Sequence, residues 1–79
     1  MIDSGFQDAL GQAKKMLNDS SFAALRELRV EQEGEHVLLR GRVDTFFLKQ
    51  LAQETVRSAT RGIEMINEIL VDDSAAKVS

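Results

Sequence analysis

The residues best suited to acid–base or metal chemistry lie in one short stretch, Glu33-Gly34-Glu35-His36. His36 is the only histidine among the 79 residues, and paired carboxylates such as Glu33 and Glu35 can transfer protons in enzymes. Zinc requires several nitrogen or sulfur ligands, and the chain has no cysteine. The stretch also has the composition of a tight turn, where no pocket perturbs a carboxylate. We therefore expect a solvated turn and no catalytic or metal site.

The remaining polar residues offer no catalytic constellation. Asp72 and Asp73 are adjacent carboxylates, which are too few to enclose a calcium ion. No serine or threonine stands in a recognisable nucleophile motif, and no glycine-rich phosphate-binding pattern occurs. We predict that the chain is not an enzyme and that it uses no cofactor.

Three arginines are predicted to project from one face of a sheet. Arg29, Arg40 and Arg42 alternate with apolar residues in two segments of strand-like sequence. Opposite residues of neighbouring strands lie about 5 Å apart, so the three side chains can gather into a basic patch. One interpretation pairs them with nearby glutamates. The other makes them a site for an anionic lipid headgroup or an acidic partner.

Two groups of apolar residues are candidates for a contact surface. A late strand is apolar on both faces, and we expect its outer face to expose Met65, Ile69 and Val71 near Leu38. Such a patch favours a protein partner or a homodimer. Phe46-Phe47 opens a predicted helix, where adjacent residues point about 100° apart. One interpretation packs a ring on the core, where it staples the helix start. The other makes an exposed ring an anchor for a contact.

These residues are positioned by a regular succession of elements. Apolar residues at helical spacing predict a first helix that ends at Asn18-Asp19-Ser20-Ser21, and a short helical turn is expected at 22–25. Alternating residues then predict two strands joined by the turn at Gly34. The second of these strands is expected to run from Val37 to Val43. The apolar residues of the first helix are Phe6, Ala9, Leu10, Ala13, Met16 and Leu17.

The second half of the chain predicts one more helix and one more strand. Asp44 or Thr45 is suited to begin the helix, and Gly62 to end it with a positive φ. The span 63–71 predicts a strand parallel to the preceding one. The fold class is therefore α+β, with the order α-β-β-α-β and two helices on one face of a three-stranded mixed sheet. The expected core comprises Leu10, Leu17, Val30, Val37, Leu39, Val43, Leu51, Val56, Ile63, Ile66 and Leu70.

Length and charge restrict the possible classes of protein. A chain of 79 residues fits a single domain, with a core at about 4–72 and a flexible tail at 73–79. The net charge of −3 argues against nucleic-acid binding, which requires a basic surface. The first residues contain neither a basic nor an apolar region typical of a secretion signal, so we expect a cytoplasmic location.

The ordered motifs of the second half resemble the BON domain, a module named for bacterial osmotically inducible and nodulation proteins. Val37–Val43 reads V-L-L-R-G-R-V, Ala52 lies in the following helix, and 62–66 reads G-I-E-M-I. Together with the turn at Gly34, these match the family's Gly turn, V-x-L-x-G-x-V and G-V-x-x-V phrases. The resemblance implies a non-catalytic binding module associated with phospholipids or envelope proteins, and hence a location in the cell envelope or periplasm.

Two functions follow from these observations. The first is protein–protein contact or self-association through the open face of the sheet, with the apolar strand residues at its centre. The second is peripheral binding to anionic phospholipid, which uses the arginines and an exposed phenylalanine. The sequence leaves the identity of the partner and the oligomeric state open.

Overall fold

The computed structural model describes residues 4–72 and confirms the predicted α+β fold. The expected tail at 73–79 lies outside the described residues. Two longer helices and one short helix pack with a three-stranded mixed sheet and a small two-stranded sheet. In chain order the elements are α1 Ser4–Asn18, α2 Ala23–Arg26, β1 Arg29–Glu33, β2 His36–Arg40, β3 Arg42–Val43, α3 Phe46–Arg57, β4 Met65–Asn67 and β5 Leu70–Val71.

The strands pair as the sequence predicts, although two of them are interrupted. β1 and β2 form an antiparallel hairpin, and β4 runs parallel to β2. β3 and β5 form a separate parallel pair. The same register runs through both parallel pairs, since the Glu68 amide donates to the Leu39 carbonyl and the Leu70 amide to the Gly41 carbonyl, each at 2.9 Å. The expected strands at 37–43 and 63–71 therefore pair with each other, but each has a break in the middle. We call β2 with β3 the first ribbon and β4 with β5 the last ribbon.

Gly41 causes the break in the first ribbon. Its φ of 140° lies in a region that residues with a Cβ rarely adopt. A Cβ at this position would also lie 2.5 Å from the Leu28 side chain, so the backbone approaches the core closely. A glycine in a strand commonly marks such an approach, and here it separates β2 from β3.

Helix α3 begins where the sequence predicts and ends earlier. The Thr45 side chain accepts a hydrogen bond from the Leu48 amide at 3.1 Å, which caps the first turn. The helix ends at Arg57 and not at residue 61. Beyond Arg57 the Ala59 amide donates to the Val56 carbonyl and the Ile63 amide to the Thr60 carbonyl, each at 3.1 Å, so the backbone continues in tighter three-residue turns. Gly62 has the predicted positive φ, 78°, but in the turns that precede β4.

The last ribbon turns the opposite face to the core from the one expected. Ile66 lies outside the core cluster and Leu70 is 62% exposed, so both predicted core positions are wrong. Asn67 explains the inversion. Its amide donates to the Lys49 carbonyl of α3 at 3.3 Å and to the Gln53 side chain at 3.1 Å, so a polar residue occupies the helix-covered side.

The core lies between the helices and the covered face of the sheet. Leu51 and Ile63 are half-buried against it, together with other residues that include Met16 and Leu48. Seven of the expected core residues are buried, which confirms the patterns of the first helix and the hairpin. The core cluster consists of Leu10, Ala13, Leu17, Leu25, Leu28, Val30, Val37, Leu39, Val43, Ala52, Val56 and Ile69.

Candidate contact surfaces

The open face of the sheet, on the side away from the helices, carries paired charges. Arg29 and Arg40 are direct cross-strand partners, and the Glu31 carboxylate lies 3.5 Å from the first and 3.8 Å from the second. Arg40 also lies 3.5 Å from Glu68. The face comprises Arg29, Glu31, Leu38, Arg40, Ile66 and Glu68. Its arginines gather as predicted, but carboxylates accompany them.

Arg42, the third predicted arginine, lies beyond the break at Gly41. Its guanidinium is 3.8 Å from the Asp72 carboxylate, and 68% of its side chain is exposed. Arg42 is the register partner of Leu70, which is the exposed residue of β5. Each of the three arginines therefore has a carboxylate within 4 Å. The structure favours the paired interpretation over an open basic patch.

The three apolar residues expected at the centre of the open face do not lie there. Ile69 is 1% exposed and belongs to the core, and Met65 and Val71 pack against the core as half-buried residues. The expectation that these three line the outer face is wrong, because the one-residue inversion of the last ribbon moves each of them inward. Leu38 does lie on the open face beside its register partner Ile66, but it is only 5% exposed.

Three exposed phenylalanines lie at the start of helices α2 and α3, and we call them the aromatic end. The rings of Phe22 and Phe47 meet edge to face with centroids 6.5 Å apart. They are 44% and 62% exposed, and Phe46 is 60% exposed. The expectation that Phe46 or Phe47 packs on the core is wrong, because the inward stripe of α3 begins only at Leu48.

Sequence reasoning missed Phe22 as a member of this surface. The residue precedes α2, and its amide donates to the Ser20 hydroxyl at 3.0 Å. No spacing in the linear sequence links it to Phe47, because the two rings meet only through the packing of α2 on α3. The one indication of this surface in the sequence is that Phe22, an aromatic residue, directly follows a polar turn.

A groove of about 640 Å³ runs between the second half of α1 and strand β1, and we call it the edge groove. β1 pairs with β2 alone among the described residues, so its outer edge is not covered by another strand. The floor of the groove is apolar, and its rim is mostly basic. The residues that line it are Lys14, Lys15, Asn18, Asp19, Arg26, Leu28, Arg29, Val30 and Glu31.

The predicted turn residues do not converge on a site. His36 Nε2 lies 3.0 Å from the Glu64 carboxylate, on the segment that precedes β4. Within residues 4–72, no three side chains of the metal-binding types come together as possible ligands. None of the helices in the described part of the chain is both long and apolar enough to cross a lipid bilayer.

Comparison with protein-family models, with curated protein sequences and with solved structures finds no match for this chain. The resemblance to the BON family therefore stays a prediction from motifs. The residues that carry it lie in β2 and β3, in α3 at Ala52 and in the turn at Gly62.

Proposed function

We propose that this domain is a non-catalytic binding module that self-associates weakly through its aromatic end. The observation that carries the proposal is the exposed edge-to-face pair of Phe22 and Phe47, with the exposed Phe46 next to Phe47 in sequence. Exposed apolar residues that stand singly are normal, whereas exposed apolar side chains in contact with one another favour a contact site. The proposal moves the contact surface away from the open face, where sequence reasoning placed it, because Met65, Ile69 and Val71 face the core and not that surface.

The ring geometry supports a second copy of the chain as the occupant. The edge-to-face pair of Phe22 and Phe47 offers both a ring face and a ring edge, which is a self-complementary arrangement. A C₂ contact requires that kind of surface. The exposed aromatic area is on the order of 300 Å² per copy, well below the roughly 800 Å² of a stable interface. We therefore expect a dissociation constant on the order of a millimolar.

Sedimentation equilibrium of the full chain at rising concentration tests this proposal. We expect the wild type to show concentration-dependent dimers and Phe47→Ala to remain monomeric. Leu70→Ala is the matched control, because Leu70 is equally exposed, at 62%, but lies on the open side of the sheet. Circular dichroism should show both variants folded. Loss of dimers in Leu70→Ala alone would return the contact to the open face, and a monomeric wild type would refute self-association.

Peripheral binding to anionic phospholipid is the second candidate. Exposed phenylalanines and the arginines of the sheet favour it, while the net charge of −3 and the ion pairs of those arginines weigh against it. Co-sedimentation with phosphatidylglycerol vesicles, beside phosphatidylcholine vesicles, distinguishes the two functions. Salt-sensitive binding that Arg40→Glu with Arg42→Glu abolishes would support the lipid function. We expect no such binding.

A further inference from the structure

The edge groove presents an unpaired strand beside a helix. β1 pairs with β2 on one side only, and within residues 4–72 no backbone hydrogen bond reaches its other edge. An edge strand of this kind offers a row of N–H and C=O groups for an added strand. Helix α1 borders the groove, and Leu28 and Val30 form its floor at 9% and 5% exposure. An extended peptide can therefore pair with the β1 backbone and place alternate side chains on that floor.

The charge of the groove contrasts with that of the whole chain. Four cationic side chains line it, whereas only Asp19 and Glu31 are anionic, although the chain as a whole carries −3. Its cations are Lys14, Lys15, Arg26 and Arg29.

Two of these cations lack a carboxylate partner. Lys15 pairs with Asp19 at 3.1 Å, but Lys14 and Arg26 form no ion pair with any described residue. The Arg26 Nη1 donates to the Ser20 carbonyl at 2.9 Å, which fixes the guanidinium at the groove and leaves its remaining N–H groups for an anionic partner. The groove therefore complements an acidic ligand, in contrast to the neutralised arginines of the open face.

We infer that the edge groove binds an extended acidic segment of another protein, which adds to β1 as a further strand. Its backbone pairs with the free edge of β1. The side chains on its helix-covered side include apolar residues that cover Leu28 and Val30 and carboxylates that meet Lys14 and Arg26. This inference does not rest on the aromatic end, because no phenylalanine lines the edge groove.

A titration of the ¹⁵N-labelled full chain with a synthetic peptide tests the inference. The probe is a blocked octapeptide with valine and glutamate at the alternate positions that share one face of a strand, and threonine at the positions between them. We expect shift changes confined to the second half of α1, to Arg26 and to β1, together with slower amide exchange along β1. Binding should weaken as salt rises, because the contact is partly electrostatic. No detectable binding at millimolar peptide would overturn the inference.

Two control peptides separate charge from strand addition. The first replaces each glutamate with lysine, and we expect it not to bind. The second keeps the glutamates but carries two adjacent prolines at its centre, so it retains the charge and loses a backbone donor towards β1 in either register. We expect at least a tenfold weaker affinity for this peptide. Equal binding by either control would overturn the inference, because charge complementarity or strand pairing would then be unnecessary.

Charge reversal on the protein locates the site. Lys14→Glu with Arg26→Glu should weaken peptide binding at least tenfold, and both residues are exposed, so the fold should persist. Arg57→Glu with Arg61→Glu changes the net charge equally on exposed positions outside the groove and should leave binding unchanged. Phe47→Ala should also bind the peptide normally, so failure of the aromatic end would not affect this result. Equal loss of binding in both double variants would refute a site at the groove.

Discussion

The helix-covered face and the open face of the sheet are built from the same strands but are stabilised differently. On the covered face, Leu39 is fully buried and Ile69 is 1% exposed. On the open face, the Glu31 carboxylate joins the cross-strand pair Arg29 and Arg40. Burial contributes about 1.5–3 kcal/mol per large apolar side chain, whereas an exposed ion pair contributes about 0–1 kcal/mol. The covered face therefore supplies most of the stability, and the open face is free to vary.

Along each strand, the residues of the two faces alternate one by one. Successive side chains of a strand point to opposite faces, so a shift of one position exchanges a buried residue for an exposed one. Ile69 and Leu70 are neighbours in sequence, yet one belongs to the core cluster and the other is 62% exposed. These two positions give the sharpest test of the comparison.

We expect Ile69→Glu to unfold the domain and Leu70→Glu to leave it folded. A carboxylate at position 69 would be buried without a partner, which costs several kcal/mol in addition to the lost apolar contacts. A domain of this size has a total stability of roughly 4–12 kcal/mol. At position 70 the same side chain would face water beside Arg42, its register neighbour. Far-ultraviolet circular dichroism and thermal melting measure both outcomes.

The pair of variants also decides which face the last ribbon turns to the core. A folded Ile69→Glu and an unfolded Leu70→Glu would instead support the arrangement that the sequence pattern predicts, with Leu70 in the core and Ile69 exposed. The same substitution at adjacent positions holds the change in charge and volume nearly constant, so the difference reports burial alone.

A milder comparison uses Leu39 and Leu38, which are adjacent on β2 and both largely buried. Leu39 packs in the core, and Leu39→Ala should cost about 2–5 kcal/mol, the usual range for a buried leucine. Leu38 lies outside the core cluster, on the open face, where its flexible, charged neighbours can collapse onto the smaller side chain. We expect Leu38→Ala to cost less than about 2 kcal/mol. Urea unfolding with constant slope gives both values. Equal losses would indicate that the open face packs as tightly as the covered one.

The sequence predicts the fold well because its strongest patterns are periodic. Helical spacing in the first segment, alternation around Gly34 and the Thr45 cap each specify an element directly. It fails where hydrogen bonds that periodicity does not reveal decide the structure. Asn67 faces α3 because its amide finds partners there, and the backbone after Arg57 changes to three-residue turns. The sequence pattern therefore misplaces the face of the last ribbon and the end of α3.

The contact surfaces were less predictable than the fold, because they depend on contacts between distant segments. The gathering of Arg29 and Arg40 follows from the hairpin register and was foreseen. The meeting of Phe22 with Phe47 depends on how α2 packs against α3, which no linear spacing encodes. The edge groove depends likewise on the position of α1 beside β1, and no sequence motif links the residues that line it.

The smallest expected effect concerns the charges of the open face. Arg40 lies 3.8 Å from Glu31 and 3.5 Å from Glu68, so Arg40→Gln removes two ion pairs at once. All three side chains are more than a third exposed, and the expected loss is about 1 kcal/mol or less at low salt. Arg42→Gln removes the pair with Asp72 at 3.8 Å and should cost less.

Salt dependence separates this electrostatic loss from a packing loss. Screening by molar salt acts on exposed charges over a few ångströms, so the stability difference between the wild type and Arg40→Gln should shrink toward zero as salt rises. A difference caused by lost contacts of the arginine stem would persist, because salt does not weaken burial of its methylenes. Urea unfolding of the wild type, Arg40→Gln and Arg42→Gln at low and high salt measures this. A salt-independent loss at Arg40 would mean that the open face is stabilised by packing, as the covered face is, and the contrast between the two faces would then lie only in composition.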